Sequence, residues 1–414
     1  MRLPRAWLRA AGLAAVGATA VACATSGTAG GAAGGAASPP ASASSASSAS
    51  SAAGSHAPPT PSPQVTQAAG LSPAQLAGQR VIFSYAGQRP PAALLSLIAH
   101  GEVAGVIFFS GNVASAAQLS GVIRQLDAAE ADPTNPVRAP LLLMTDQEGG
   151  PVRRLPGAPF LSEKQVGQSA NPAAAARTAG TQAAANLRGI GLNVNLAPVL
   201  DVFRTAGDFD DQFGRSYSSD PRAVASLGAD FIAAQQAGGV AATAKHFPGL
   251  GSAATKQDTD FEPVTLNVPA ATLRAVDELP YPAAISAGVK LVMVSWAVYP
   301  ALDPSRPAGM SARIVQGELR GRLGFGGVTI TDALEAGALK SYGSIAHRAL
   351  LAAQAGMDLI LCSAQSTTEG TECLSGLEGG YGSGALPRAG FEAAAARVMA
   401  LRASPVLRTW GFTG

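Results

Sequence analysis

Gly327-Val328-Thr329-Ile330-Thr331-Asp332 is an apolar, β-branched run that ends on a single carboxylate. The run is continuous rather than alternating, the pattern of a parallel strand covered on both faces. Seven further runs share this character, at residues 81–85, 103–109, 141–145, 192–196, 241–245, 291–295 and 359–363, with the quoted one at 328–331. Ala-rich stretches of helical composition lie between many of them, at 114–129, 173–188, 222–236 and 344–355. Strands alternating with helices predict an α/β protein, either a closed (β/α)8 barrel of TIM type or a doubly wound open sheet. The polar punctuation favours the barrel. Asp146, Asp201, Lys245-His246 and Asp332 fall at or just after the C-terminal ends of runs, where barrel enzymes keep their active sites. No GxGxxG follows the first run, so a dinucleotide site has no support.

Outward from the barrel, the N-terminus reads as a targeting segment. Arg2, Arg5 and Arg9 precede a small, apolar stretch at 10–22 that is too short to span a bilayer. It ends in Ala20-Val21-Ala22-Cys23, which resembles a bacterial lipobox; an ordinary cleavage site with Cys23 incidental is the alternative. Residues 1–22 are therefore expected to be a lipoprotein signal peptide. Cys23 is the expected lipidation site, anchoring the protein to the outer face of the cell membrane. Residues 23–70 are almost entirely Ala, Ser, Gly, Thr and Pro, and predict a disordered tether. The folded domain is expected over 71–414. Ser72-Pro73-Ala74-Gln75 marks its first helix, with Ser72 as N-cap, Pro73 at the first helical position and Gln75 closing a capping box.

A formal charge of +2 is too small for a nucleic-acid footprint. No repeat of fixed period suggests a solenoid or propeller. Cys362 and Cys373 could form a loop disulfide or remain one buried and one free thiol. Neither CxxC nor HExxH occurs, so no metal site is expected.

Four strand ends carry candidate chemistry. Thr145-Asp146-Gln147-Glu148-Gly149-Gly150-Pro151-Val152-Arg153-Arg154 places acids and arginines around a glycine pair; it suits sugar hydroxyls or an ordinary turn with a surface ion pair. Asp211-Gln212-Phe213-Gly214-Arg215-Ser216-Tyr217 offers Arg215 as a ligand clamp or a loop arginine. Lys245-His246-Phe247-Pro248-Gly249-Leu250-Gly251 sets adjacent Lys and His before a rigid turn, an arrangement packing rarely requires. Asp332 stands alone at the mouth of a buried strand and must be paired, solvated or catalytic.

DQEGGxVxR, the Gly-Arg-Ser-Tyr loop, KHFPGxG and LGFxGxxxTDxL occur here in one order. In that order the chain resembles the bacterial single-domain β-N-acetylglucosaminidases of glycoside hydrolase family three, over most of residues 72–405. The resemblance implies retaining hydrolysis of terminal β-linked N-acetylglucosamine, or a related β-sugar, from cell-wall or chitin-type glycans. It implies Asp332 as the nucleophile, forming a glycosyl ester. It implies Asp146, Arg154, Arg215, Lys245 and His246 as residues that hold the sugar. A carbohydrate is the expected partner, no cofactor is needed, and the protein is expected to act as a monomer.

The sequence departs from the family pattern at the general acid/base, a histidine within an Asp-Ser-His triplet. Here the triplet reads Asp258-Thr259-Asp260, the preceding loop is two residues longer, and Leu250 replaces the histidine of PGHG. Three readings stay open. Asp260 (with Asp258 orienting its loop) or Glu262 takes over proton transfer; or the site binds sugar and turns over poorly; or the substrate has a leaving group that needs little protonation.

Overall fold

The computed structural model describes residues 70–407 apart from residue 138, together with Ala68. The signal segment, Cys23 and nearly all of the tether lie outside the described residues. Eight parallel strands close a barrel: β1 (Val81–Phe83), β2 (Gly105–Ile107), β3 (Leu142–Thr145), β4 (Val194–Asn195), β5 (Ala241–Phe247), β6 (Leu291–Val294), β7 (Val328–Ala333) and β8 (Leu359–Leu361). Each strand pairs with its neighbours in sequence, and β8 returns to β1. All eight apolar runs thus become barrel strands.

The continuity of those runs has a direct cause. Ile82, Ile107, Leu142, Met144, Leu291, Met293, Val328, Ile330, Leu359 and Leu361 fill the barrel interior. The residues between them, such as Val81, Phe83, Val106, Leu143, Val292, Val294 and Ile360, pack outward under the helices. Both faces of each strand are dry, so alternation of side still gives an unbroken apolar sequence. Two strands run further than their sequence suggested. β5 continues past Lys245 through His246, and β7 includes Asp332 and Ala333. These polar side chains line the upper end of the barrel while their backbones remain in the sheet.

Helices cover the outside, among them Ala116–Glu130, Pro172–Ile190, Pro221–Ala237, Ile345–Ala355 and Arg388–Arg402. The first short helix, Pro73–Gly78, carries the expected capping box between Ser72 and Gln75. No helix among the described residues is long and apolar enough to cross a membrane. Cys362 and Cys373 are joined in a disulfide that ties the end of β8 to the helix Thr367–Ser383.

The two ends of the barrel differ. At the N-terminal end, Arg80 donates to the Asp358 carbonyl at 3.1 Å, and the Asp358 carboxylate receives Arg397 at 2.8 Å. Arg402, fully buried, meets Glu130 at 2.7 Å. These pairs satisfy buried backbone and charge where strands begin, a structural role. The unusual polar chemistry lies at the other end.

Candidate active site

Asp146 follows β3 directly, and a two-stranded ribbon (Gln147–Gly149 against Val152–Arg153) folds the chain back over it. The Arg154 N–H then reaches the Asp146 carbonyl at 3.1 Å, and its guanidinium lies 3.8 Å from the Asp146 carboxylate. Gly149 permits this turn: its φ is +127°, and a Cβ there would collide with the Leu161 carbonyl. In the ribbon, Asp146 and Glu148 are two residues apart and share one face.

That face is met by two cations. Lys245 of β5 donates to Asp146 at 2.8 Å and to Glu148 at 2.7 Å. Arg215, from the loop after β4, grips Glu148 with two bonds of 2.9 Å and Asp210 with one of 3.0 Å. Burial alone would raise the Asp146 carboxyl, but Lys245 and Arg154 outweigh it and hold it below the ordinary range. Glu148 follows the same rule, with burial opposed by Arg215 and Lys245 and the carboxyl held strongly down. Burial would lower the Lys245 ammonium, but Asp146 and Glu148 keep it raised. The result is a floor of fixed, fully ionised groups.

His246 extends this floor. Its Nδ1 lies 2.6 Å from the Asp201 carboxylate, and its Nε2 lies 3.5 Å from Arg215. Burial and the neighbouring Arg215 push its pKa down to about 4, so the imidazole is neutral at physiological pH. A neutral ring donates from Nδ1 to Asp201, leaving Nε2 as an acceptor. Asp201 also accepts the Leu250 N–H at 2.6 Å. Leu250 therefore contributes its backbone here while its side chain is buried. Asp201, Asp210 and His246 bring three potential metal-ligating atoms within 4.8 Å of one another. His246 is hydrogen-bonded to Asp201 and Asp210 to Arg215, an ordinary buried polar network.

Asp332, near the end of β7, accepts the Ala333 N–H at 2.8 Å. The Ala333 carbonyl is in turn held by the Trp296 indole at 2.8 Å. The loop after β5 closes towards this strand. Within it, Asp258 accepts the Asp260 N–H at 2.9 Å, forming a tight turn. Two bonds then tie the turn to the segment after β7: Gly337 N–H to the Asp260 carbonyl at 2.8 Å, and Ala338 N–H to the Thr259 carbonyl at 3.0 Å. A Cβ on Gly337 would collide with the Phe261 carbonyl, so only glycine allows the approach. Burial, followed by the charges of Asp332, Asp258 and Glu335, raises the Asp260 carboxyl to about 8. Asp260 thus lies within electrostatic reach of Asp332, while Glu262, two residues on, is exposed.

Several members of the site were not among the sequence-derived candidates. Glu148 was quoted within its motif, and the two-residue period from Asp146 was the signal that would have singled it out. Asp210 had no distinguishing pattern. Neither had Glu335, whose carboxylate accepts Ser363 Oγ at 2.9 Å and whose pKa burial raises. Behind it, burial and then Glu335 push Glu369 up to about 8.

Residues 73–401 match the glycosyl hydrolase family 3 N-terminal domain. An uncharacterized secreted glycosyl hydrolase of Arthroderma benhamiae is 43% identical over 336 residues, covering 81% of this chain and 94% of that protein. A beta-hexosaminidase of Stenotrophomonas maltophilia is 34% identical over 306 residues, or 72% and 87% of the two chains. The solved beta-N-acetylhexosaminidase of Beutenbergia cavernae aligns with a TM-score of 0.73 at 33% identity, over 81% of this chain and 99% of that one. A beta-N-acetylglucosaminidase from Paenibacillus gives 0.75 at 32% identity over 80% of this chain, which spans 62% of that longer structure.

Proposed function

The chain belongs to glycosyl hydrolase family 3 and is a β-N-acetylhexosaminidase-like glycoside hydrolase; from that premise we propose that it releases terminal β-linked N-acetylglucosamine from cell-wall or chitin-type glycans through a covalent intermediate on Asp332. The observation that carries this reading is the docking of Asp260, tied by its own backbone to the segment after β7 and raised to about 8 beside Asp332. A general acid must hold a proton at the working pH, which an ordinary aspartate does not.

In this mechanism Asp146, Arg154, Lys245, Arg215 and His246 hold the terminal sugar over the ionised floor. The Asp332 carboxylate attacks the anomeric carbon as the glycosidic bond breaks, and protonated Asp260 delivers its proton to the departing oxygen. The products are a glycosyl ester on Asp332 and a neutral alcohol. Ester formation removes the negative charge of Asp332, one of the causes that raised Asp260. The Asp260 carboxyl then falls in pKa and stays ionised after giving up its proton, which leaves it free to act as the base of the second step. It accepts a proton from water, whose oxygen displaces Asp332 and restores both groups. Asp258 positions the turn that carries Asp260.

A 2-fluoro or 5-fluoro glycosyl donor tests this reading. The expected result is one added sugar on a peptide containing Asp332, with Asp332→Asn lowering kcat by roughly 10³-fold or more because the covalent route is gone. An adduct elsewhere, or near-native activity in the variant, sinks it. The word secreted in the name of the Arthroderma relative supports an extracytoplasmic site of action. We place the protein there through Cys23, with residues 23–70 as its tether. Cys23→Ala should leave the membrane fraction; a normally cleaved variant that stays membrane-bound overturns the anchor.

A further inference from the structure

Four large apolar side chains stand exposed among the described residues: Phe160, Leu161, Phe213 and Phe261. All four belong to loops that follow consecutive strands β3, β4 and β5 at the C-terminal end of the barrel. Those loops are stitched together. The Lys164 N–H reaches the Gly214 carbonyl at 3.1 Å, the Phe209 N–H reaches Ala253 at 2.9 Å, and the Gln212 amide reaches Thr255 at 2.6 Å. The apolar groups therefore rim one continuous sector of the mouth, directly beside the ionised floor. Water around exposed aromatic surface is released only when something covers it.

Phe261 is the informative member. It is 56% exposed, and its backbone rather than its ring secures the loop, through the bond from its N–H to the Asp258 carbonyl at 3.1 Å. It directly follows Asp260 in the docked turn. Taking Asp260 as the general acid, as proposed above, fixes the side on which Phe261 stands. An acid must reach the scissile oxygen, which lies between the sugar retained on the enzyme and the sugar that leaves. The residue that follows the acid is therefore placed close to the leaving part.

We propose that Phe261 is the platform of the leaving-group subsite and that it takes the apolar face of a β-linked pyranose. The chemistry fits. A β-configured glucosamine unit carries its substituents equatorially, so its faces present axial C–H groups that suit an aromatic ring. The retained sugar lies among charges that bind hydroxyls, whereas the leaving sugar meets an uncharged surface. The subsite thus selects an oligosaccharide chain over a short alkyl or charged leaving group.

The test compares a β-1,4-linked N-acetylglucosamine disaccharide with N-acetylglucosaminyl fluoride, which has no leaving sugar. Phe261→Ala should lose about tenfold more kcat/KM on the disaccharide than on the fluoride, the scale of one aromatic contact. Phe261→Tyr should restore the disaccharide rate. Equal losses on both substrates, or no loss on the disaccharide, overturn the platform. Asp260→Ala run in parallel separates this from the acid assignment: if it fails to distinguish the two substrates, the acid assignment falls. Binding then judges Phe261 independently. In Asp332→Asn, adding Phe261→Ala must weaken the disaccharide by about tenfold while weakening the monosaccharide less; equal weakening refutes the proposal.

Discussion

The mouth of the barrel has two acidic sides that behave in opposite ways. At the ends of β3 and β5, half-buried Asp146 and buried Glu148 sit among Lys245, Arg154 and Arg215, and both carboxyls are held down. Across the mouth, Asp260 faces Asp332 and Glu335, Glu335 is backed by Glu369, and the Asp260, Glu335 and Glu369 carboxyls are pushed up. Burial penalises the charged form on both sides. What differs is the company. Asp146 and Glu148, each held by two cations, stay ionised and can orient a ligand, whereas Asp260, crowded by other acids, can hold a proton. The division of labour is thus set by neighbours rather than by residue type.

The sharpest way to break this contrast is to remove the proton carrier. Asp260→Ala should lower kcat/KM on natural disaccharides by about 10²–10⁴-fold but hardly change kcat/KM on dinitrophenyl glycosides, whose leaving oxygen needs no proton, although their kcat falls with the slowed second step. Azide should restore part of the lost second step by serving as a nucleophile that needs no base. The pH profile sharpens the same point. Asp260 acts as an acid only while protonated, and its raised pKa keeps it so up to about 8. The wild-type kcat/KM on disaccharide should therefore fall as pH rises through about 8, a limb absent with the dinitrophenyl substrate. Identical leaving-group ratios in wild type and Asp260→Ala would mean a vacant acid position and a weakly active sugar-binding protein.

A smaller effect is expected on the paired side. Glu148→Gln preserves shape but removes the charge shared by Arg215 and Lys245, leaving both cations under-compensated. The loss should be ~1.5–3 kcal/mol, about 10- to 150-fold in kcat/KM, expressed chiefly in KM. The leaving-group ratio should stay near the wild-type value. A change in that ratio would show that the two sides are not separable.

The fold was legible because its signal is local. Each strand announced itself as a dry run, and Asp146, Lys245, His246 and Asp332 punctuated the ends. The ion pairs among Asp146, Glu148, Arg215 and Lys245 were half legible: the motifs supplied the residues, but the sharing of Glu148 between two cations required the ribbon to be folded. The crowded side was the least legible. Asp260 meets Gly337 across 77 positions, and Glu369 meets Glu335 through a helix that begins after a different strand. Neither a spacing nor a composition encodes such contacts. The triplet position already favoured Asp260 over Glu262, and the docked turn adds the ties between its backbone and the segment after β7.

The Cys362–Cys373 bond has a consequence for how the protein is made. It encloses the stretch that contains Ser363 and Glu369, the two residues against which Glu335 rests. Closing a loop of this size removes unfolded-state freedom worth about 3 kcal/mol. A recombinant host that keeps thiols reduced would leave that stretch to packing alone, so two preparations of identical sequence can differ in how firmly the second acidic pair is seated. Choice of expression compartment is thereby a biochemical variable, and enzyme lots should be compared by thiol titration before their rates are.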